Sequence, residues 1–281
     1  MDGVNYRAAY ARHRDGVDVD DVRSKLAAYA DAGVTYVRDG GDHLGVSALA
    51  AKLAPEYGIT YRTPIFAIHK NGCYGKIVGR GFDSMKEYHQ LVLEAGEAGA
   101  DFIKIMVSGI LDFEREGALT EASLEADEIR EMIHIAHEEG FSVMAHTNGA
   151  DAVYAVIEAG VDSIEHGNFM DETCLLALRE SESIWVPTFV TIANLIGSGR
   201  YDDASLLRLK ERQGAIIRKG FAYGVTIAPG SDAGAYRVLH VQGIRDEYRE
   251  LYALCSDFMT QEAFDARMED AGQEIALRFQ R

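Results

Sequence analysis

A single α/β domain, a barrel of parallel strands with helices outside it, is the fold the sequence predicts, and three observations predict it. Short apolar, β-branched runs alternate with longer amphipathic stretches from about residue 19 to the end, the pattern of parallel strands joined by crossover helices. Four of the joins repeat one motif, in Ala32-Gly33-Val34, Ala98-Gly99-Ala100, Glu139-Gly140-Phe141 and Ala159-Gly160-Val161, where glycine supplies a left-handed helix end ahead of the next strand. The 281 residues, 47% hydrophobic and 26% charged, suffice for one core, since barrels of roughly 250 residues commonly fold as single domains. One domain over residues 1–281 is therefore expected, with an irregular segment at 1–18.

Element by element, a helix starts near Asp20 and Asp21, acidic residues suited to a first turn, and ends at Ala32-Gly33 before a strand at Val34 to Val37. The next strand is Thr60 to Ile68, after a helix that stops near Tyr57-Gly58. A helix from Ser84 to Ala98 leads into Asp101 to Val107. Phe141 to Ala145 follows Gly140, and Asp162 to Ile164 follows the helix Ala150 to Ala159. Ile184 to Val190 and Val225 to Ala228 complete seven strands, one short of the eight a closed barrel needs. The missing strand should precede Asp20. Val4 to Ala11 is a poor candidate because Arg7, Arg12, His13 and Arg14 ill suit a barrel interior. The loop Asn71 to Gly81, with glycines at 72, 75 and 79, reads as a mobile lid.

Composition excludes several classes. Lys plus Arg number 28 against 45 Asp plus Glu, and the resulting charge of -17 repels nucleic acid and anionic membranes. Acidic residues such as Glu114, Glu116, Glu121 and Glu125 need no role beyond solubility. Cys73, Cys174 and Cys255 are odd in number and show no CxxC spacing, so they read as thiols in a reducing compartment. No apolar leader and no uncharged run of ~20 residues is present, which points to a cytoplasmic protein with neither a membrane nor a nucleic acid as partner.

In a barrel of this kind chemistry gathers at the C-terminal ends of the strands. Lys104 interrupts the apolar run Phe102-Ile103-Lys104-Ile105-Met106, His146 closes Phe141 to Ala145, His166 follows Asp162 to Glu165, and Asp232 ends the stretch from Val225. Each has an ordinary reading alone: a lysine whose stem packs under a helix, a hydrogen-bonded imidazole, a turn aspartate. Together, at four strand ends, they suit zinc or a similar divalent ion, with a carbamate on the lysine as a further ligand and Asp232 able to take up and return a proton.

The sequence resembles the amidohydrolase superfamily, most closely its imidazolonepropionase and prolidase-like branch. The resemblance runs from about residue 19 to 250. It rests on Gly33-Val34-Thr35-Tyr36-Val37-Arg38-Asp39, Phe102-Ile103-Lys104-Ile105 with Ser108-Gly109, Ala145-His146-Thr147-Asn148-Gly149, Ala159 to Gly167, Val186-Pro187-Thr188 and Gly230-Ser231-Asp232-Ala233-Gly234, followed by His240, Gly243 and Glu247. It implies a TIM-type (β/α)8 barrel with its first strand missing from this chain. It also implies a carbamate on Lys104 bridging one or two ions, His146 and His166 as ligands, and Asp232 as ligand and general acid/base. The activity implied is metal-dependent hydrolysis of a C–N bond in an amide, lactam or dipeptide by activated water.

Two departures stand against this. The family begins its barrel with a His-x-His pair, and none occurs in these 281 residues; the small β-sandwich of many relatives also has no counterpart. The sequence leaves three explanations open. The start of the protein lies upstream of Met1, or the first metal has been shed, or the barrel is catalytically inactive and serves as a ligand-binding or assembly module. Open edges beside the missing strand suggest a homo-oligomer.

Four further residues are candidate contacts for a small-molecule substrate: His69, Tyr74, Ser108 and His240. His69 also reads as an ordinary loop histidine. Arg62 reads as a packing or salt-bridge residue, and His134 and His137, three apart on one helix, as surface residues.

Overall fold

The computed structural model describes residues 1–115 and 117–280; Glu116, placed above among the solvated acids, lies outside them. Its first half runs α1 (Tyr6–Arg14), α2 (Val19–Asp31), β1 (Tyr36–Arg38), α3 (Val46–Leu53), β2 (Thr60–Arg62), β3 (Ala67–Lys70), β4 (Gly79–Phe82), α4 (Met85–Glu97) and β5 (Ile103–Met106). The second half runs α5 (Ala126–Glu138), β6 (Val143–Thr147), α6 (Ala150–Glu158), β7 (Ser163–His166), α7 (Glu172–Glu180), β8 (Ile184–Val186), α8 (Val190–Ala193), α9 (Asp203–Tyr223), α10 (Gln242–Cys255) and α11 (Gln261–Arg278). Among the described residues no helix is long and apolar enough to cross a membrane.

Every named strand pair is parallel, as crossover helices require. Six strands form one sheet in the order β4-β3-β5-β6-β7-β8, and β1 pairs with β2 in a second ladder. The two are one continuous wall: the Asp101 amide donates to the Thr63 carbonyl, and the Arg62 guanidinium meets the Asp101 carboxylate at 2.8 Å. The α/β fold is the expected one, and its strand ladder is not closed into a ring.

Four expectations are corrected. Residues 1–18 are not irregular: Asn5 caps α1 by accepting from the Ala8 amide, Arg12 and His13 pair with Asp21 of the next helix, and the poor strand candidate Val4 to Ala11 lies largely in this helix. The run Thr60 to Ile68 is two strands, because Pro64 removes an amide and Ile65 turns left-handed at φ 65°. The loop from Asn71 ends in β4, whose Gly79, Arg80 and Gly81 pair with Ala67, Ile68 and His69, so part of the supposed lid is tied into the sheet. Residues 225–228 form no strand; they touch β8 through a bridge between Ile227 and Trp185, with the Trp185 amide donating to the Thr226 carbonyl.

Alternation along the strands builds two cores. Ile103, Ile105, Val143, Ala145, Ile164 and Trp185 face outward and pack with the helices in the main cluster. Their neighbours Phe102, Met144, Ile184 and Val186 face inward, where Ala271, Ile275 and Phe279 at the end of α11 pack against them and floor the barrel. Polar side chains occupy the interior above that floor.

Candidate functional site

Lys104 lies between two outward isoleucines, so the pleat sends its amine inward. It pairs in register with Met144, and two residues further along β6 the same parity brings His146 into the interior. His166 reaches the same place by another route. Alternation would separate it from the inward-facing Glu165, but its backbone is left-handed at φ 73°, which turns both residues toward the site. Thr188, two residues past β8, and Asp232, past the bridged residues 225–228, are also left-handed, at φ 48° and 54°. Three non-glycine residues strained in this way at neighbouring tips are a mark of function that composition does not reveal.

The imidazole rings of His146 and His166 stand 4.7 Å apart between centroids, edge to face. Burial holds the pKa of His146 well below its ordinary value, and the proximity of His166 and Lys104 adds to this. Burial and then Lys104 bring His166 down to about 3. Lys104 is lowered to about 8 by burial, opposed by the carboxylates of Glu165 and Asp232 and assisted by Arg38. Asp232 is raised to about 6, chiefly by burial, against the pull of Lys104. Tyr74 also belongs here. Its ring lies 4.9 Å from that of His146, and burial with the nearby Asp232 and Glu121 pushes its hydroxyl up to about 12.

Sequence reasoning missed the layer beneath. Arg38 donates to Glu165 at 2.9 Å and to the Ser163 hydroxyl at 2.7 Å, Ser163 donates to Glu165 at 2.7 Å, and the guanidinium sits 4.2 Å over the ring of Phe279. Inward parity on β1 and β7 was the available signal. Glu247 of α10 is fully buried and accepts from the amides of Phe189 and Val190, which fixes the start of α8.

The remaining candidate contacts are placed differently. Ser108 lies beside His146, but its hydroxyl accepts from the Asn148 amide and donates to the Gly109 carbonyl. His69 is a buried strand residue of β3, its Nδ1 2.9 Å from the Lys70 carbonyl oxygen. His240 has both ring nitrogens engaged, Nδ1 by the Tyr29 hydroxyl at 3.0 Å and Nε2 by the Met1 carbonyl at 2.9 Å. His134 and His137 face Glu138 and Asp162 from α5, outside the barrel.

The donor set can be tested against a metal ion. His146 Nε2 faces the Gly109 carbonyl at 3.3 Å and His166 Nδ1 meets the Thr188 hydroxyl at 2.6 Å. Thr188 Oγ1 already donates to the Pro187 carbonyl, so it accepts from His166 Nδ1 and leaves the lone pair of that ring on Nε2; His146 is a second buried neutral ring, with its Nε2 set between the Gly109 carbonyl and the Asn148 side-chain amide at 3.4 Å. No three His, Cys, Asp or Glu side chains among the described residues stand close enough to hold an ion by themselves. The pair therefore fits a divalent ion only with Lys104 as a further ligand, and this sequence supplies donors for one such site.

A wall of parallel strands with ionisable side chains gathered at its carboxyl ends is the arrangement of barrel folds that build their sites at strand tips. The chain belongs to the amidohydrolase family, whose family model matches residues 19–257. It is 28% identical over 155 residues to an ochratoxinase of Aspergillus niger, covering 53% of this chain and 32% of that protein. It is 31% identical over 115 residues to an uncharacterised protein of Mycobacterium tuberculosis, 39% of this chain and 31% of that one. The match thus spans about a third of each relative's length. Among solved structures, A. niger ochratoxinase superposes with a TM-score of 0.76 at 20% identity, over 96% of this chain and 67% of its own. A Xaa-Pro dipeptidase with methionine in its active site superposes at 0.73 and 21% identity, over 91% and 68%. At these identities the superpositions establish a shared fold.

Proposed function

We propose that the protein is a metal-dependent hydrolase that cleaves a C–N bond of a small amide, lactam or dipeptide with an activated water. The observation that carries this reading is the gathering of Lys104, His146, His166 and Asp232 near one another, with the two imidazoles buried and neutral. His146, His166 and a carbamate on Lys104 would hold a divalent ion, zinc being suited to such donors. The ion would supply Lewis acidity for activating the water.

The chain's own residues do the rest. A lysine whose amine is neutral near pH 8 is available to carbon dioxide. Asp232, with a carboxyl pKa near 6, is poised to accept a proton from the water and return it to the leaving nitrogen. Tyr74, over the imidazole of His146, closes one side of the site and excludes solvent. The fold shared with a Xaa-Pro dipeptidase and the sequence similarity to an ochratoxinase support this substrate class.

A second reading, an inactive barrel that binds a ligand or another chain, is favoured by the absence of a His-x-His pair and of a third His, Cys, Asp or Glu ligand among the described residues. A hydrolysis screen against Xaa-Pro dipeptides, N-acyl amino acids and cyclic amides, with zinc and bicarbonate added, separates the two. Turnover lost in Asp232→Asn supports the enzyme; no turnover on any of the three classes supports the binding module.

A further inference from the structure

We propose that Glu247 is a positioning residue: by clamping the start of α8 it holds Thr188 in the strained backbone conformation that sets the ring of His166 for a cation. The inference rests on the metal reading above and adds to it the group that orients one ligand. Glu247 is fully buried, and both of its carboxylate oxygens are used. Oε1 accepts from the Phe189 amide at 3.0 Å and Oε2 from the Val190 amide at 2.8 Å. Among the described residues no cation pairs with it, and burial raises its carboxyl to about 8 against the pull of those two amides. A carboxylate is costly to bury in this way, so the clamp is a feature that packing alone does not explain.

The residue immediately before the clamp is Thr188. It is β-branched and left-handed at φ 48°, a conformation that persists only where the surroundings over-determine it. Its hydroxyl donates to the Pro187 carbonyl at 2.8 Å, and its carbonyl accepts from the Thr191 hydroxyl at 2.9 Å. With the hydroxyl hydrogen committed to Pro187, Thr188 Oγ1 accepts from His166 Nδ1 at 2.6 Å, and the lone pair of the ring is left on Nε2. The His166 backbone is held separately, since its carbonyl accepts from the Trp185 indole at 3.0 Å. What Thr188 controls is therefore the ring.

The same face of α10 reaches the next strained residue. Gly243 precedes Glu247 by about one turn, and a Cβ there would lie 3.2 Å from Ser231 Cβ and 2.7 Å from Val238 Cγ1. Ser231 adjoins Asp232, which is left-handed at φ 54°. One helix face thus braces the residues beside both left-handed positions, through a carboxylate next to Thr188 and through close packing next to Asp232. Partners that orient a metal-binding imidazole typically alter affinity about 10- to 100-fold when lost.

Long-range proton–nitrogen NMR of the metal-free, nitrogen-15-labelled protein at pH 9 reads the His166 tautomer with the Glu247 carboxyl ionised. The expected result is an Nδ1–H form in the wild type and a mixture of tautomers in Glu247→Gln, whose side-chain amide sets a donor against one of the backbone donors. Thr188→Val should give the same mixture, and Thr188→Ser should restore the wild-type form. Zinc affinity, measured in bicarbonate by competition with a chromophoric chelator, should fall about 10- to 100-fold in Glu247→Gln while its far-UV circular dichroism stays unchanged. Glu247→Asp keeps the charge but falls short of the two amides; it should move both readouts the same way by less, and it serves if Glu247→Gln does not fold. An Nε2–H tautomer in the wild type would overturn the proposal, as would a folded Glu247 variant that keeps the wild-type tautomer. A wild type that binds no zinc, but whose Nδ1–H form is lost in Glu247→Gln, defeats the metal reading and leaves the positioning role of Glu247 standing.

Discussion

Lys104 is the residue on which burial and charge meet most sharply. In the metal-free protein its amine titrates near 8, whereas in the unfolded chain it titrates near 10.5. Below 8 both states hold the proton, and the folded state bears the cost of a buried charge. Between 8 and 10.5 the unfolded chain still binds the proton that the folded one has released, so stability rises with pH across that window, by about 3 kcal/mol in all. Lys104→Met should abolish this rise; denaturant titrations of both proteins from pH 7.5 to 10.5 check it, and equal slopes would refute it. For the reaction, Asp232→Asn removes the proton carrier and should lower kcat about 10²- to 10⁴-fold with a small change in KM, which steady-state kinetics on any substrate found will measure. The four principal residues were legible in the sequence because a charged or imidazole side chain ending an apolar strand contradicts its surroundings. Glu165 was not, because strand parity sets it opposite His166 and only a left-handed backbone brings the two together. Asn148 stands within the run Ala145 to Gly149, yet its hydrogen-bond partners lie forty residues before it and twenty after it in the chain.

At the scale of elements, α11 matters beyond its own packing. Its end delivers Phe279 to the barrel floor, 5.1 Å from the ring of Phe102 and beneath the Arg38 guanidinium that pairs with Glu165. Phe279→Ala empties that position and uncovers a buried ion pair, and it should cost about 3–5 kcal/mol. Thermal or chemical denaturation checks this, and a loss below about 1 kcal/mol would show that the floor is not packed as described. The helix–strand alternation was readable because outward residues such as Ile103, Ile105 and Ile164 repeat the parity that covering helices demand. Three things escaped it. Asn5 caps a helix in a segment too rich in arginine to show an apolar period, a left-handed Ile65 after Pro64 divides a run that looks continuous, and β4, made of Gly79, Arg80, Gly81 and Phe82, has too little apolar character to be recognised before its partner β3 is known.

Across the whole molecule, and among the described residues, the larger strand ladder ends at β4 and at β8, which residues 225–228 bridge only weakly, and the smaller one ends at β1 and β2. Unpaired edges invite another chain, so we propose a homo-oligomer; light scattering should give a mass above the 30.9 kDa of the chain, and a monomer that unfolds cooperatively at high temperature would contradict it. A charge of -17 would repel polyanions from such an assembly, and it says nothing about the substrate. The account as a whole depends on a cation held by side chains from three separate strands. Elemental analysis of protein purified with zinc and bicarbonate, then freed of loose metal, addresses it most directly. The account predicts about one divalent ion per chain in the wild type and a marked loss in both Lys104→Ala and His166→Ala. Metal well below that ratio, unchanged by either substitution, would contradict it.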